Sequence, residues 1–294
     1  MPDVPLIGPV DAPDLSVMTF NIRRRIPHLN RRSPDLWNRR KAAVGATLRL
    51  EKPTVLAVQE ALPDQREYVA EVLGPHYRSL GYGRNADRRG EIVALFFDTR
   101  RLRLIEWEQL ALSDTPELPG SRSWGNFVPR VVVSARFTDL ANGTEFVVLA
   151  THFDHLSRVA RLKSARMLRR LALEAACPVV IMGDVNTNVG TKPYLELTAD
   201  GGLRDTWMVA QSRITAEWGT FPNYRRPRLG TKRIDWILVS AGFEVLSVGV
   251  NTSRYRGRAS SDHHPVQAVL RNEPDQWPGS LGASSADANA AAAS

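Results

Sequence analysis

The chain has 294 residues, is 43% hydrophobic, and carries 39 Lys and Arg against 31 Asp and Glu, for a formal net charge of +8. That length allows one large domain or two smaller ones, and no apolar run approaches the ~20 residues that a membrane-spanning helix needs. Cys177 is the only cysteine, so an intrachain disulfide is excluded. The opening "MPDVPLIGPVDAPDLS" lacks the basic-then-apolar order of a secretory signal, so a cytoplasmic monomer without an obligate protein partner is expected. Of the basic residues only five are Lys, and the arginine excess favours polyanionic partners. It is equally what a compositional bias would leave.

In chain order, residues 1–14 read as an N-terminal tail and 272–294 as a disordered C-terminal tail, small and polar at its end. Between them, 15–271 reads as one domain, without linker or repeat. "SVMTFNI" (16–22) is a strand, followed by a helix in "SPDLWNRRKAAVGATLRL" with Ser33 as its cap and Pro34 at its first position. "TVLAVQE" (54–60) is a strand, and a second helix opens at Pro63. "EIVALFFD" (91–98) is a strand, with "RLRLIEWEQLAL" expected to pair with it. "RVVVSARF" (130–137) and "EFVVLATH" (145–152) flank the hairpin signal Asn142-Gly143. "LSRVARLKSARMLRRLALEAA" has helical spacing. Then come the strand "PVVIMGD" (178–184), a short helix near 192–200, and strands at 233–240, 243–250 and 265–271. So many strands with few helices between them suggest packed sheets flanked by helices.

Polar residues gather at particular ends of these strands. Asn21, Glu60, His152 and Asp184 each close an apolar run. Asp235 and the Asp262-His263 pair open strands read as antiparallel. Ends of one set and starts of the other fall on one rim, which also takes Glu91 and Asn186. Each residue alone is explained by turn chemistry, yet a shared rim is not. Several carboxylates and histidines converging beside a core describe a hard-cation site with acid–base groups around it.

The ordered set "TFNI", "VQE", "GEIVALFF", "THFDH", "GDVN", "RIDWILVS" and "SDHHPV" resembles the endonuclease/exonuclease/phosphatase superfamily, from about Leu15 to Arg271. The resemblance implies an α/β fold, a four-layer α/β sandwich of two packed mixed β-sheets flanked by helices. It also implies hydrolysis of a phosphate ester by water, assisted by Mg²⁺ or Mn²⁺. On that likeness Glu60, Asn21 and Asp262 belong to the metal. Asp184 activates water with Asn186 beside it, and His263 acts at the phosphate, oriented by Asp235. His152 pairs with Glu91 as a second His–carboxylate unit, and Arg130 lies near the phosphate. His155 and Arg161 secure a helix start. The loop after Asn186 departs from the family's usual pattern.

Arg/Tyr-rich loops at 223–233 and 251–260 abut Asp235 and Asp262 and suit a nucleic-acid backbone. The expectation is therefore a metal-dependent phosphodiesterase acting on nucleic acid, with a small-molecule or lipid phosphoester as the alternative. A non-catalytic binding protein is disfavoured, since every expected site position is filled.

Overall fold

The computed structural model describes residues 4–27 and 29–273. Among these residues, thirteen strands and five α-helices form two mixed sheets with helices outside, the expected sandwich.

The first sheet contains β1 (Asp14–Asn21), β2 (Val55–Ala61), β3 (Tyr77–Leu80), β4 (Ile92–Asp98), β10 (Ser212–Arg213), β12 (Phe243–Val250) and β13 (Val266–Asn272), ordered β10-β12-β13-β1-β2-β4-β3. The second contains β5 (Leu102–Ala111), β6 (Val131–Asp139), β7 (Glu145–His152), β8 (Val179–Asp184), β9 (Leu203–Asp205) and β11 (Asp235–Ser240), ordered β5-β6-β7-β8-β11-β9. The helices are α1 (Trp37–Glu51), α2 (Pro63–Leu73), α3 (Arg158–Glu174), α4 (Lys192–Leu197) and α5 (Thr206–Val209).

Alternation along the strands divides the apolar residues between layers. In β1, Leu15 and Val17 join the inter-sheet core, whereas Met18 and Phe20 turn outward to meet Val44 and Leu48 of α1. Between the sheets Phe97, Phe137, Phe146 and Phe243 run as a chain of rings, successive centroids 4.9, 5.8 and 5.8 Å apart. On the far side of the second sheet, Ile181 and Leu238 pack with Ala165 and Leu168 of α3.

Three expectations need correction. First, β5 does not pair with β4. It pairs antiparallel with β6 as an edge of the second sheet, and β4 instead takes β3, a four-residue strand too short to show a period. Second, α1 starts at Trp37 rather than Pro34. The Ser33 hydroxyl accepts from the N–H of Asp35, two residues on, as a local turn. The Asp35 carboxylate is drawn off to Tyr224 Oη at 2.6 Å.

Third, the segment ahead of β1, expected as a tail to residue 14, is held down. The N–H groups of Leu6, Ile7 and Gly8 donate to the Glu51 carboxylate at 2.7, 3.1 and 2.9 Å, and the side-chain amides of Asn251 and Gln267 donate to it at 2.9 Å each. Glu51 is buried at 2% exposure. The expected C-terminal tail lies, from residue 274, outside the described residues.

Candidate active site

The sheet registers build the site. In the second sheet β7 runs parallel to β8 with His152 opposite Asp184, and β8 runs antiparallel to β11 with Asp184 opposite Asp235. Three polar residues thus stand abreast on adjacent strands at one rim. Gly183 makes this possible, because a Cβ there would lie 2.1 Å from the Thr151 carbonyl oxygen. In the first sheet β1 and β2 run parallel, and the strand starts of β4 and β13 share their rim.

Glu60 owes its direction to an irregularity. The β2–β4 register shifts between Val58 and Ala61, and Glu60 in the gap has φ of +63°. A bulge with a left-handed non-glycine residue re-aims a side chain at some cost in strain, a device that recurs at functional sites. Asn186, also left-handed at +51°, turns the chain after β8. Its N–H donates to Asp184 Oδ1 at 2.9 Å and its side-chain amide to the Phe153 carbonyl at 3.0 Å.

Asp184 is the hub. Its Oδ2 accepts from the Asn21 amide at 2.9 Å and lies 3.5 Å from His152 Nε2 and 3.6 Å from His263 Nε2. The other face of His263 is fixed by Asp235, with Nδ1 to Oδ2 at 2.9 Å. Burial works against the His263 charge, but Asp235 and Asp184 outweigh it and raise its pKa. Burial and then the Asp235 charge raise Asp184. Burial, reinforced by Arg130 and Arg84, holds His152 well below the usual histidine range, so that ring is neutral.

Asn21 also donates to Glu60 Oε1 at 3.1 Å, and the Arg24 N–H donates to Glu60 Oε2 at 3.1 Å. Asp262 accepts from the Ser261 hydroxyl at 3.0 Å. Arg23 stands between Glu60 and Asp262 at 3.7 and 3.6 Å, too far for hydrogen bonds. Two carboxylates with oxygen lone pairs to spare, the pKa of Asp262 raised by burial and then by Glu60, suit a small hard cation. Asp184, Asp235 and His263 also bring ligand atoms within 4.8 Å of one another. There, however, His263 Nδ1 is already bonded and the ring is charged, so acid–base work fits that trio better.

The Glu91–His152 pair does not form. Glu91 binds Arg84 at 2.6 Å and Arg24 at 3.3 Å, while His152 has Asp184 as its carboxylate neighbour. The guanidinium of Arg84 satisfies Glu91 before the histidine can. Arg130 is buried at 5% exposure, with Nη2 to His155 Nδ1 at 3.0 Å and Nε 3.8 Å from Asp154. Its Nε and Nη1 have no hydrogen-bond partner. His155 thus contacts Arg130, and Arg161 donates to the Asp154 carbonyl at the start of α3.

Several supporting residues escaped the sequence reading. Buried Arg40 donates to the carbonyls of Ile22, Arg23 and Arg24, and Gln65 bonds Arg25 N–H and the Arg23 carbonyl, clamping the loop that carries Arg23 and Arg24. Thr220 accepts from the N–H groups of Ile234 and Asp235 at 2.9 and 3.1 Å. Nothing local in "WGTFPN" announces that task. Ser261, inside "SSDHH", ties Asp262 to the Asn21 carbonyl.

A two-sheet sandwich with a carboxylate–histidine rim defines the class of phosphoester hydrolases. The chain belongs to the endonuclease/exonuclease/phosphatase family, whose profile matches residues 18–263. That family is generally dependent on divalent metal. Among solved structures, an endonuclease/exonuclease/phosphatase family protein from Bacteroides thetaiotaomicron is 29% identical, with TM-score 0.81 over 87% of this chain and 94% of that one. A mannosyl-6-phosphatase from the same species is 29% identical, with TM-score 0.79 over 87% and 99%. D. rerio TDP2, complexed with single strand DNA product, shares the fold at 17% identity, with TM-score 0.66 over 88% and 99%. No curated protein matches the chain significantly.

Proposed function

We propose that the chain is a divalent-metal-dependent phosphodiesterase that cleaves nucleic acid by attack of water on phosphorus. The observation that carries the chemistry is the Asp184 carboxylate, set between two imidazole Nε2 atoms and joined to Glu60 through the Asn21 amide. Magnesium or manganese, held by Glu60 and Asp262 with Asn21 steadying Glu60, would supply a Lewis acid for the phosphoryl oxygens.

The chain's own residues do the rest. Asp184 takes a proton from water as its oxygen bonds to phosphorus, and Asn186 keeps that carboxylate turned to the rim. His263, steadied by Asp235, directs Nε2 at the phosphate and donates to an oxygen as the bond to the leaving group breaks. The buried guanidinium of Arg130 adds positive charge near His152, which suits a phosphate held there. Activity is expected to vanish in chelator and return with Mg²⁺ or Mn²⁺, and Glu60→Gln is expected to weaken metal affinity and turnover together. Full activity of Glu60→Gln at limiting metal removes Glu60 as a ligand.

Nucleic acid is favoured by the loops beside Asp235 and Asp262. Arg225, Arg226, Arg228, Arg254, Arg256 and Arg258 are all exposed, and none forms an ion pair among the described residues. Replacing Arg225, Arg226 and Arg228 with Gln is expected to weaken DNA binding and flatten its salt dependence, whose log–log slope steepens by about 0.9 for each neutralised phosphate on duplex DNA. A small chromogenic phosphodiester is expected to be cleaved as before. The second reading, a small phosphoester, is favoured by the likeness to the mannosyl-6-phosphatase. Salt-insensitive DNA affinity beside brisk phosphomonoester hydrolysis would establish it.

A further inference from the structure

Beside His263 a groove of about 930 Å³ opens between the starts of α3 and α4 and the loop before β11. One end is His263 and Asn186, so it is continuous with the rim. Phe221 and Ile234 line it, and the Phe221 ring stands 4.8 Å from the His263 ring. Its exposed cations are Arg158, Lys192 and Lys232, with Arg161 half-buried beside them and donating to the Asp154 carbonyl, and no carboxylate lines it. None of the three exposed cations makes an ion pair among the described residues. Two of the chain's five lysines are here. An arginine-rich composition explains an excess of arginine, but it does not explain lysines placed together, unpaired, in a groove without acids.

We propose that this groove is a subsite for a second phosphate on the substrate, one residue or sugar away from the phosphate being hydrolysed. The proposal rests on the hydrolase reading and narrows its substrate class: the substrate carries at least two phosphates, bridged by a ring that lies against Phe221. A cation left unpaired beside water costs little, and in a concave site without competing carboxylates its field is focused on an incoming anion. The bridging ring meets Phe221 and Ile234 while its outer phosphate reaches the cations. A nucleic-acid strand supplies this chemistry through its neighbouring phosphate, and a small bisphosphate through its own.

The test measures binding in chelator, where turnover stops. Calorimetry compares a thymidine dinucleotide with and without a terminal phosphate, and a hexose bisphosphate with its monophosphate. The wild-type protein is expected to bind at least one phosphate-bearing member about tenfold more tightly, and the triple variant Arg158→Gln, Lys192→Gln, Lys232→Gln to lose that preference. Preference in the nucleotide pair alone identifies a strand, and in the hexose pair alone a small bisphosphate. Equal affinity within both pairs, or a preference that survives the triple variant, overturns the subsite. Lys192→Gln alone, expected to lose part of the preference, covers a triple variant that does not fold. Hydrolysis of a chromogenic diester with Mg²⁺ is followed in parallel and is expected to be unchanged by the triple change. If that ester is never cleaved while the binding preference holds, the hydrolase reading falls and the subsite stands.

Discussion

His263→Ala and Asp184→Asn are each expected to reduce turnover by about 10²–10⁴-fold, the range for a lost acid–base group. The two side chains meet at 3.6 Å and serve one proton path, one accepting from water and the other donating at the phosphate. Their losses are therefore expected not to add, and the double variant should resemble the worse single one. Asp235→Asn is the finer probe. It leaves His263 in place but weakens the 2.9 Å bond that orients the ring, so its effect should be large in the wild type and small once His263 is alanine. Steady-state kinetics on a chromogenic diester, with folding checked by circular dichroism, reads all five variants. Near-normal turnover in either single variant removes that residue from the reaction, and fully additive losses remove the shared path.

Glu51→Ala is expected to destabilise the fold by about 3 kcal/mol or more, a large part of the ~5–15 kcal/mol that holds a typical domain. Five N–H groups from three distant parts of the chain converge on this one buried carboxylate. Deleting it leaves all five without an acceptor, those of Gly8, Asn251 and Gln267 in buried positions, and each buried orphan costs about 1–3 kcal/mol before relaxation. Glu51→Gln keeps the size but turns an N–H₂ on donors, so it is expected to fall between alanine and wild type. Urea unfolding measures the loss. Hydrogen exchange at the amides of Leu6, Ile7 and Gly8 shows whether the opening segment is released first. A loss under about 1 kcal/mol for Glu51→Ala would mean that water replaces the carboxylate.

The rim could be read in the sequence because strands declare themselves locally. Runs such as "TVLAVQE" and "PVVIMGD" are apolar and β-branched, and what stands at their mouths is visible. Partner choice was harder to read. His152 faces Asp184 because β7 lies beside β8 in parallel register, while Glu91 is taken by Arg84 and Arg24, facts about packing that no window of residues holds. The same cause misplaced β5, whose alternation is sound but whose neighbour is fixed by closure of the second sheet. Glu51 was passed over for a related reason. At the end of an amphipathic helix a glutamate looks like a solvated charge, and only the return of residues 6–8 and of Asn251 makes it an anchor. Loop 22–25 shows the middle case: its arginines were visible, but Arg40 and Gln65, which hold it in place, read only as ordinary helix residues.

The close approach of Gly183 to Thr151 has a consequence for how such a chain can change over generations. It brings β7 and β8 together at the rim and sets the spacing of His152 and Asp184 through the main chain, not through the methyl groups beneath. Core positions such as Val148 and Met182 are therefore free to exchange one aliphatic side chain for another while the reacting groups stay in step. The site's tolerance is concentrated in the interior and its intolerance in one hydrogen atom, the one that occupies the place of a side chain at residue 183.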